Sequence, residues 1–396
     1  MPPERASPSP PGVVPRPELG EGDARSLPRG WPDGFAATER DREALLTLST
    51  MHVIPSELYA LAWREGTASA CLAATRTPRS ERSRPTPAQL MASLEDRGGR
   101  FLVPTDPGFP DRLLDLPDPP AFLFVRGAVP LEAVAVGVVG ARRCSSYGRE
   151  TSEAIGRGLA STGVTVVSGA ALGIDGAAHR GALGGEGHTV AVLGSGIDVP
   201  YPPSNRDLIE RVAVEGAVVS EYPPGTPARA FRFPARNRLL AALASAVVVV
   251  EGAAGSGSMI TAEIATDLGR DVYAVPGNVS SQLAEVPNAL IRDGAPLVRH
   301  APDVLDSLRS IDSEAFRALR EGDAGPPPDE EGLTAEERRV LAALAAPTTA
   351  EQVAADAGLP THRVFPLLAA LELRGLVRDV GGRFERRSRD AGGGQA

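Results

Sequence analysis

The sequence of 396 residues contains no lysine, so all 41 of its basic residues are arginine. This absence excludes two classes of enzyme chemistry. A P-loop requires a lysine that reaches the phosphates of a nucleotide, and Schiff-base catalysis requires a lysine amine. Any phosphate or carboxylate contact made by a basic side chain in this protein is therefore made by a guanidinium group.

Cysteine and histidine are scarce as well. Cys71 and Cys144 are far apart and in no C-x-x-C spacing, so neither a disulfide scaffold nor a zinc finger is expected. The five histidines form no H-E-x-x-H pattern, and we predict neither a metal site nor a cofactor. No apolar run reaches about 18 residues. We expect a cytoplasmic protein that does not contact the membrane.

The net charge of −9 argues against a protein that coats nucleic acid through its overall field, but it leaves room for a local basic groove. Between Tyr222 and Val250 there are four arginines (229, 232, 236 and 238), two interleaved phenylalanines and no acidic residue. Such a strip suits single-stranded nucleic acid, because cations track phosphates and rings stack on bases. The alternative is that the phenylalanines belong to the core and the arginines to a solvated face.

Strand-length apolar runs alternate with helical segments through the middle of the chain, which predicts an α/β fold with a doubly wound, mainly parallel sheet. The predicted strands are 134–139, 164–167, 189–193, 217–220, 246–250 and 272–275. We expect a small helical domain before this sheet and a winged helix after it. The predicted segments are a disordered Pro-rich tail (1–36), a helical domain (37–80), a linker (81–100), a Rossmann-like core (101–312), a linker (313–332), a winged helix-turn-helix domain (333–388) and a tail (389–396).

Small residues follow several predicted strands, at the edge where a doubly wound sheet binds its ligands. They are Gly140 with Arg142, Ser168-Gly169, Gly194 with Gly196, and Gly255–Ser258, which opens a helix bearing Thr261. Free backbone N–H groups and the helix dipole there favour an anionic ligand. The alternative is that these glycines only permit tight turns between strand and helix.

Acidic residues near this edge suggest no catalytic centre. Asp175 and His179 are spaced i, i+4 and could form a base and its orienting partner. The interpretation we favour is structural, because no nucleophile is adjacent. Glu221 and Glu251 each follow a strand without a spacing that assigns acid or base. We predict no catalytic residue.

Taken together, these motifs resemble the DprA/Smf family of DNA-processing proteins. Order and spacing agree across about 200 residues. The segments that carry the resemblance are Asp106–Pro110, Pro119–Phe124, Val138–Arg142, Tyr147-Gly148, Val167–Gly169, Gly173–Asp175, Ala178-His179, Ala191–Gly196, Tyr201-Pro202, Asn205-Arg206, Ser220–Gly225, Phe233–Arg238, Ser256–Thr261, Gly269–Val272, Ala274–Gly277 and Leu290–Ala295.

The resemblance implies an extended Rossmann-like core that binds single-stranded DNA and helps load RecA recombinase onto it during natural transformation, with no known catalytic activity. It implies a homodimer, for which we predict contacts at Ile264, Leu290 and Ile291. The predicted DNA-binding residues are Gly140, Arg142, Ser168, Gly169, Gly194, Gly196, Arg206, Phe233, Arg236, Asn237, Arg238, Ser256, Gly257, Ser258 and Thr261. Replacement of Arg142 or Arg236 by alanine is expected to weaken DNA binding without lowering the melting temperature.

The chain departs from the family pattern at Leu172, where the family usually has an arginine, so one phosphate contact is expected to be absent. An alternative function from another class is a nucleotide-cleaving Rossmann enzyme of the phosphoribohydrolase type. Gly252–Glu263 matches the glycine-rich pattern of those enzymes only loosely, because the double glycine is missing.

Overall fold

The structure is a computed structural model that describes residues 29–51, 53–75, 84–128, 131, 133–185, 187–311, 333–344, 348–373, 376–380 and 383–386. The chain divides into two compact units at residues 316 and 317, and each is described by itself. Within the described residues, no helix is both long enough and apolar enough to cross a lipid bilayer.

Three short helices begin the first unit: α1 (Glu39–Ser49), α2 (Pro55–Glu65) and α3 (Ala68–Ala74). Thr38 starts α1 because its side chain accepts a hydrogen bond from the Asp41 amide, as an N-cap does. Ahead of this cap, the rings of Trp31 and Phe35 stack at 4.3 Å, and Phe35 is buried. The predicted tail therefore ends too late at residue 36, since residues 29–36 pack on these helices. Residues 1–28 lie outside the described residues.

A fourth helix, α4 (Pro87–Glu95), lies in the segment that we predicted as a linker over 81–100. Thr86 and Gln89 form a reciprocal capping box, and Pro87 occupies the first helical position. Both features favour a helix start. The linker prediction is wrong for this part of the chain, because the surrounding prolines were taken for an irregular segment when one of them opens a helix.

Eight strands form a single sheet in the order β1-β2-β6-β5-β4-β3-β7-β8. The six strands from β3 to β8 are parallel and confirm the predicted strands to within two residues. The sequence prediction missed β1 and β2, which add an antiparallel extension beside β6. The strands are β1 (Gly99–Leu102), β2 (Leu123–Gly127), β3 (Ala135–Val139), β4 (Thr165–Ser168), β5 (Thr189–Val192), β6 (Ala217–Ser220), β7 (Ala246–Val249) and β8 (Asp271–Ala274).

Helices cover both faces of this sheet, which is why its central strands are buried apolar runs. One apolar cluster joins side chains of α1–α4, α6 and α7 to one face, and a second joins α8 and α9 to the other face. Helix α5 packs on α6. The helices are α5 (Ser146–Ala160), α6 (Ile174–Gly184), α7 (Arg206–Glu215), α8 (Arg232–Leu243), α9 (Gly257–Asp267), α10 (Glu285–Arg292) and α11 (Ala301–Ile311).

The strand order reverses between β3 and β7. From β3 the chain adds strands in one direction as far as β6, and it then returns to place β7 on the other side of β3. The loops that follow β3 and β7 consequently leave in opposite directions and open a crevice at the carboxyl edge of the sheet. Doubly wound folds bind their ligands at such a switch point.

The described residues of the second unit form three helices, α12 (Ala335–Ala343), α13 (Ala350–Ala357) and α14 (Thr361–Leu373), followed by the hairpin of β9 (Val377–Val380) and β10 (Arg383–Arg386). This is the predicted winged helix. Thr334 and Glu337 form the predicted capping box. Thr349 caps α13, but Gln352 does not complete a second box, because its side chain bonds Asp356 instead.

Candidate nucleic-acid interface

A cation and two aromatic rings meet at the carboxyl edge of the sheet. Arg142 follows β3 and is exposed, and its guanidinium lies 4.8 Å from the centroid of the Phe233 ring at the start of α8. The Tyr201 ring, from the loop before α7, lies 5.3 Å from that of Phe233. We refer to Arg142, Tyr201 and Phe233 as the aromatic–arginine cluster. Two loops and the first turn of α8 build it, and it offers both a phosphate partner and stacking surfaces.

Further exposed side chains lie close in sequence to the members of this cluster. Arg206 opens α7 and is exposed, as is Arg229. Phe231 precedes α8 with 69% of its surface exposed, and Tyr201 is 43% exposed. Rings this exposed contribute little to the core. Tyr201 was not among the predicted site residues, although the Tyr201-Pro202 motif is part of the family resemblance.

Arg236, by contrast, is buried beneath the loop that follows β4. One terminal nitrogen of its guanidinium donates to the Val192 carbonyl, and the other lies 3.9 Å from the Asp175 carboxylate. Burial lowers the pKa of Arg236 to about 10. The expectation that Arg236 is part of an open basic strip is wrong, because its charge is already matched by Asp175.

Gly169 is required above this guanidinium, since a Cβ atom there would overlap the Arg236 side chain. The Asp175 carboxylate in turn accepts a hydrogen bond from the Ala171 amide at 3.4 Å. Burial raises the pKa of Asp175, and the charge of Arg236 opposes this rise. The buried pair thus holds the loop from β4 to α6 in place, and that loop lies against the backbone of Arg142 through Gly173.

The other two α8 arginines are also neutralised or enclosed. Arg238 donates to both carboxylate oxygens of Glu221, at 2.6 and 2.7 Å, and lies 3.5 Å from Asp118. Arg232 is buried over the ring of Tyr222, at 4.7 Å, and donates to the Pro227 carbonyl. Asp118 and Glu221 lie outside the acid-free stretch from Tyr222 to Val250, so the sequence of that stretch did not reveal them as partners of Arg238.

His179 makes a structural contact that does not involve Asp175. Its Nδ1 lies 2.7 Å from the Thr189 hydroxyl, which itself donates to the Val166 carbonyl. The imidazole is fully buried, and burial lowers its pKa from 6.5 to about 3. It is neutral at physiological pH and bonds Thr189 rather than Asp175.

Glu251 follows β7 and fastens the loop that carries Arg142. Its buried carboxylate accepts hydrogen bonds from the Ser145 amide at 2.9 Å and from the Ser145 hydroxyl at 2.5 Å. Gly148 leaves the space that this carboxylate occupies. Asp175, Glu221 and Glu251 are therefore all engaged in structural contacts. Within the described part of the chain, no group of three or more His, Cys, Asp and Glu side chains could hold a metal ion.

The serine-rich loop at the start of α9 is largely satisfied by its own contacts. The hydroxyls of Ser256 and Ser258 bond each other at 2.7 Å, and Thr261 donates to the Gly257 carbonyl. Asn237 of α8 donates to the same carbonyl at 3.3 Å. No side chain caps α9 at Ser256. The exposed backbone at Gly257 is the part of this loop that a phosphate can approach.

Comparison with known proteins agrees with this architecture. A profile of the family described as DNA recombination-mediator protein A matches residues 100–309, more than half of the chain. The chain belongs to this family. A second profile, the DprA winged helix domain, matches residues 324–383.

Relatives extend the likeness beyond the core. The chain is 34% identical over 338 residues to Protein Smf of Synechocystis, which covers 78% of this chain and 85% of that one. It is 43% identical over 201 residues to DNA processing protein DprA of Streptococcus pneumoniae, covering 50% and 71%. The X-ray structure of the Streptococcus pneumoniae protein superposes with a TM-score of 0.58 at 33% identity, covering 68% of this chain and 98% of that one.

The predicted DNA-binding residues differ in how far they are exposed to solvent. Arg142, Arg206 and Gly257 are exposed, whereas Gly140, Phe233, Asn237, Arg238 and Ser256 are half-buried. The remainder are buried and shape the edge from below: Ser168, Gly169, Gly194, Gly196, Arg236, Ser258 and Thr261. The predicted dimer residues Ile264, Leu290 and Ile291 are all half-buried, and the first two pack against the core.

Proposed function

We propose that this chain binds single-stranded DNA along the carboxyl edge of its sheet and loads RecA recombinase onto that DNA in the cytoplasm, without catalysing a reaction itself. The observation that carries the proposal is the aromatic–arginine cluster, in which Arg142 lies over Phe233 beside Tyr201. Membership of a family described as recombination mediators supports the same function.

The cluster suits a single strand better than a duplex. A guanidinium can pair with a backbone phosphate, and the neighbouring rings can stack on bases only when those bases are unpaired. Because Arg142 and Tyr201 both lie close to the Phe233 ring, one strand that crosses the edge of the sheet can meet all three side chains. Exposed Arg206 and Arg229 add positive charge near the same loops.

Two buried contacts support this function indirectly. The ion pair of Asp175 with Arg236 holds the loop from β4 to α6, and the hydrogen bonds from Ser145 to Glu251 hold the loop that carries Arg142. A site that is held rigid before binding loses less conformational entropy when the strand arrives.

A RecA assembly assay tests the proposal. RecA filament growth is followed on single-stranded DNA that is already coated with single-strand-binding protein, with and without this protein. We expect faster filament nucleation when the protein is present, and a loss of that gain in Arg142→Ala. No acceleration by the wild type would reject the loading function. Release of free base from nucleoside monophosphates in a parallel incubation would favour the enzyme alternative.

A further inference from the structure

A second recess lies on the other side of the Arg142 loop, where the sequence analysis predicted no site. It is a cleft of about 460 Å³ between the loops that follow β3, β7 and β8. Its volume falls within the range of about 300–1,000 Å³ that small-molecule sites occupy. Its lining residues include Ser145, Tyr147, Glu251, Gly277 and Asn278.

Tyr147 forms a fixed aromatic wall in this cleft. Half of its surface is exposed, yet its hydroxyl donates to the Pro276 carbonyl at 2.9 Å across the cleft. This bond holds the ring between the loops after β3 and β8. An exposed ring that is immobilised in this way offers a stacking face at little entropic cost, because its rotamer is already fixed.

The rest of the cleft supplies an apolar floor and a polar edge. Val250 and Ala284 are buried and line it with aliphatic surface. The Glu251 carboxylate accepts one hydrogen bond at each oxygen from Ser145, and a carboxylate has about four acceptor positions. Further acceptor capacity therefore remains for a donor that enters the cleft.

We infer that this cleft binds a nucleobase that carries an exocyclic amino group, with its flat face on Tyr147 and its amino group directed to Glu251. An aromatic face, an aliphatic floor and a carboxylate at the edge match the π-surface and the amino donor of cytosine or adenine. A base of the bound strand and a free nucleotide share this chemistry. The strand as the source rests on the function proposed above, and the cleft lies beside the loop that carries Arg142.

Photocrosslinking of the full-length protein tests this inference. A cytosine oligonucleotide that contains 5-iodocytosine is bound, irradiated and digested with trypsin, which cleaves only after arginine in this chain. The peptide Cys144–Arg149 contains Tyr147 as its single aromatic residue, whereas Phe233 falls in the peptide 233–236. We expect a crosslink in the first peptide in addition to the second. Crosslinks confined to the Phe233 and Tyr201 peptides would overturn the inference.

Binding measurements separate a stacking role from a structural one. Tyr147→Ala is expected to weaken cytosine-oligonucleotide binding roughly tenfold, since one base–aromatic stack is lost. Tyr147→Phe keeps the ring and should retain most of the affinity, and Val214→Ala, at an exposed site on α7, serves as the neutral control. Equal affinity for Tyr147→Ala and wild type would contradict the inference.

Two further binding measurements show whether the bound base comes from the strand or from a free nucleotide. They also distinguish failure of this inference from failure of the proposed DNA-binding function. Deoxycytidine monophosphate alone should not saturate the protein if the base comes from the strand. If the nucleotide binds in a Tyr147-dependent manner and oligonucleotides do not bind, the cleft stands and the DNA-binding function falls. If oligonucleotides bind through Arg142 but not through Tyr147, the function stands and the cleft falls.

Discussion

Arg142 and Arg236 both lie in motifs that resemble the family, but their environments in the structure are opposite. Arg142 is exposed over Phe233, whereas Arg236 is enclosed beneath Gly169 and paired with Asp175. Only the first can reach a phosphate without rearrangement. The second acts on the site by holding the loop from β4 to α6. The expectation that alanine at both positions would leave stability unchanged therefore applies to Arg142 alone.

Arg236→Ala is expected to destabilise the protein by about 3–5 kcal/mol, because it leaves the buried Asp175 carboxylate without its cation. Urea unfolding at neutral pH measures this loss. In the double variant Arg236→Met with Asp175→Asn, the uncompensated charge is removed, and we expect much of the stability to return. An Arg236→Ala variant as stable as the wild type would show that the Arg236–Asp175 pair does not hold the loop from β4 to α6 in place.

The lowered pKa of His179 predicts that the protein is less stable in mild acid than at neutral pH. Its pKa is about 3 in the folded protein and 6.5 in the unfolded chain, so the unfolded chain binds more protons between these values. The stability contributed by the neutral imidazole is complete above pH 6.5 and declines as the pH falls. Between pH 6.5 and pH 5 the loss amounts to about 2 kcal/mol.

Comparison of the wild type with His179→Asn isolates this effect. The raised pKa of Asp175 acts in the opposite direction, but both proteins contain Asp175 and its contribution cancels. Unfolding free energies at pH 7 and pH 5 should differ less in His179→Asn than in the wild type. The same pH dependence in both proteins would exclude His179 as its origin.

At the scale of elements, the sequence predicts what local patterns determine. The six parallel strands are rich in valine and alanine, most of them are continuous apolar runs, and their positions were predicted to within two residues. Strands β1 and β2 escaped prediction because each contains a glycine and an arginine, so neither is a continuous apolar run. The pairing of Arg236 and Arg238 also escaped prediction, because Asp175, Glu221 and Asp118 meet α8 only in the folded protein.

The loop from β4 to α6 offers a gain-of-function test. Leu172 stands where the family usually has an arginine, and 45% of its surface is exposed next to Gly173, which lies against the backbone of Arg142. Leu172→Arg should strengthen oligo-dT binding and add about −0.7 to the slope of log affinity against log salt, as one further phosphate is neutralised.

Leu172→Gln provides the matched control, since it adds a polar side chain of similar reach without charge. Equal effects of the arginine and glutamine variants would show that charge at this position is irrelevant. The substitution should change the melting temperature little, because Leu172 is an exposed residue.

At the scale of the whole molecule, we expect a homodimer through the surface of α9 and α10. Ile291 is the informative position, because Ile264 and Leu290 also pack against the core of their own chain. Ile291→Glu should give a monomer in analytical ultracentrifugation that binds short oligonucleotides normally and long ones less tightly, since two linked sites gain by avidity. A wild-type protein that sediments as a monomer at micromolar concentration would contradict the dimer.

The whole chain carries a net charge of −9, so strand binding must rely on a local field rather than on the overall one. The salt dependence of the binding affinity measures this local field directly. Each phosphate that the protein neutralises on a single strand contributes about −0.7 to the slope of log affinity against log salt. The buried arginines of α8 should contribute nothing to this slope, because their charges are already paired or enclosed.

The most direct test of the central claim is the affinity for oligo-dT, measured by fluorescence anisotropy over a range of salt concentrations, for the wild type and Arg142→Ala. Arg211→Ala, an exposed arginine paired with Glu215 on α7, is the control. We predict a steep slope for the wild type, weaker binding to a duplex of equal length, and a slope shallower by about 0.7 in Arg142→Ala alone. A wild-type slope near zero, or unchanged binding in Arg142→Ala, would contradict the account.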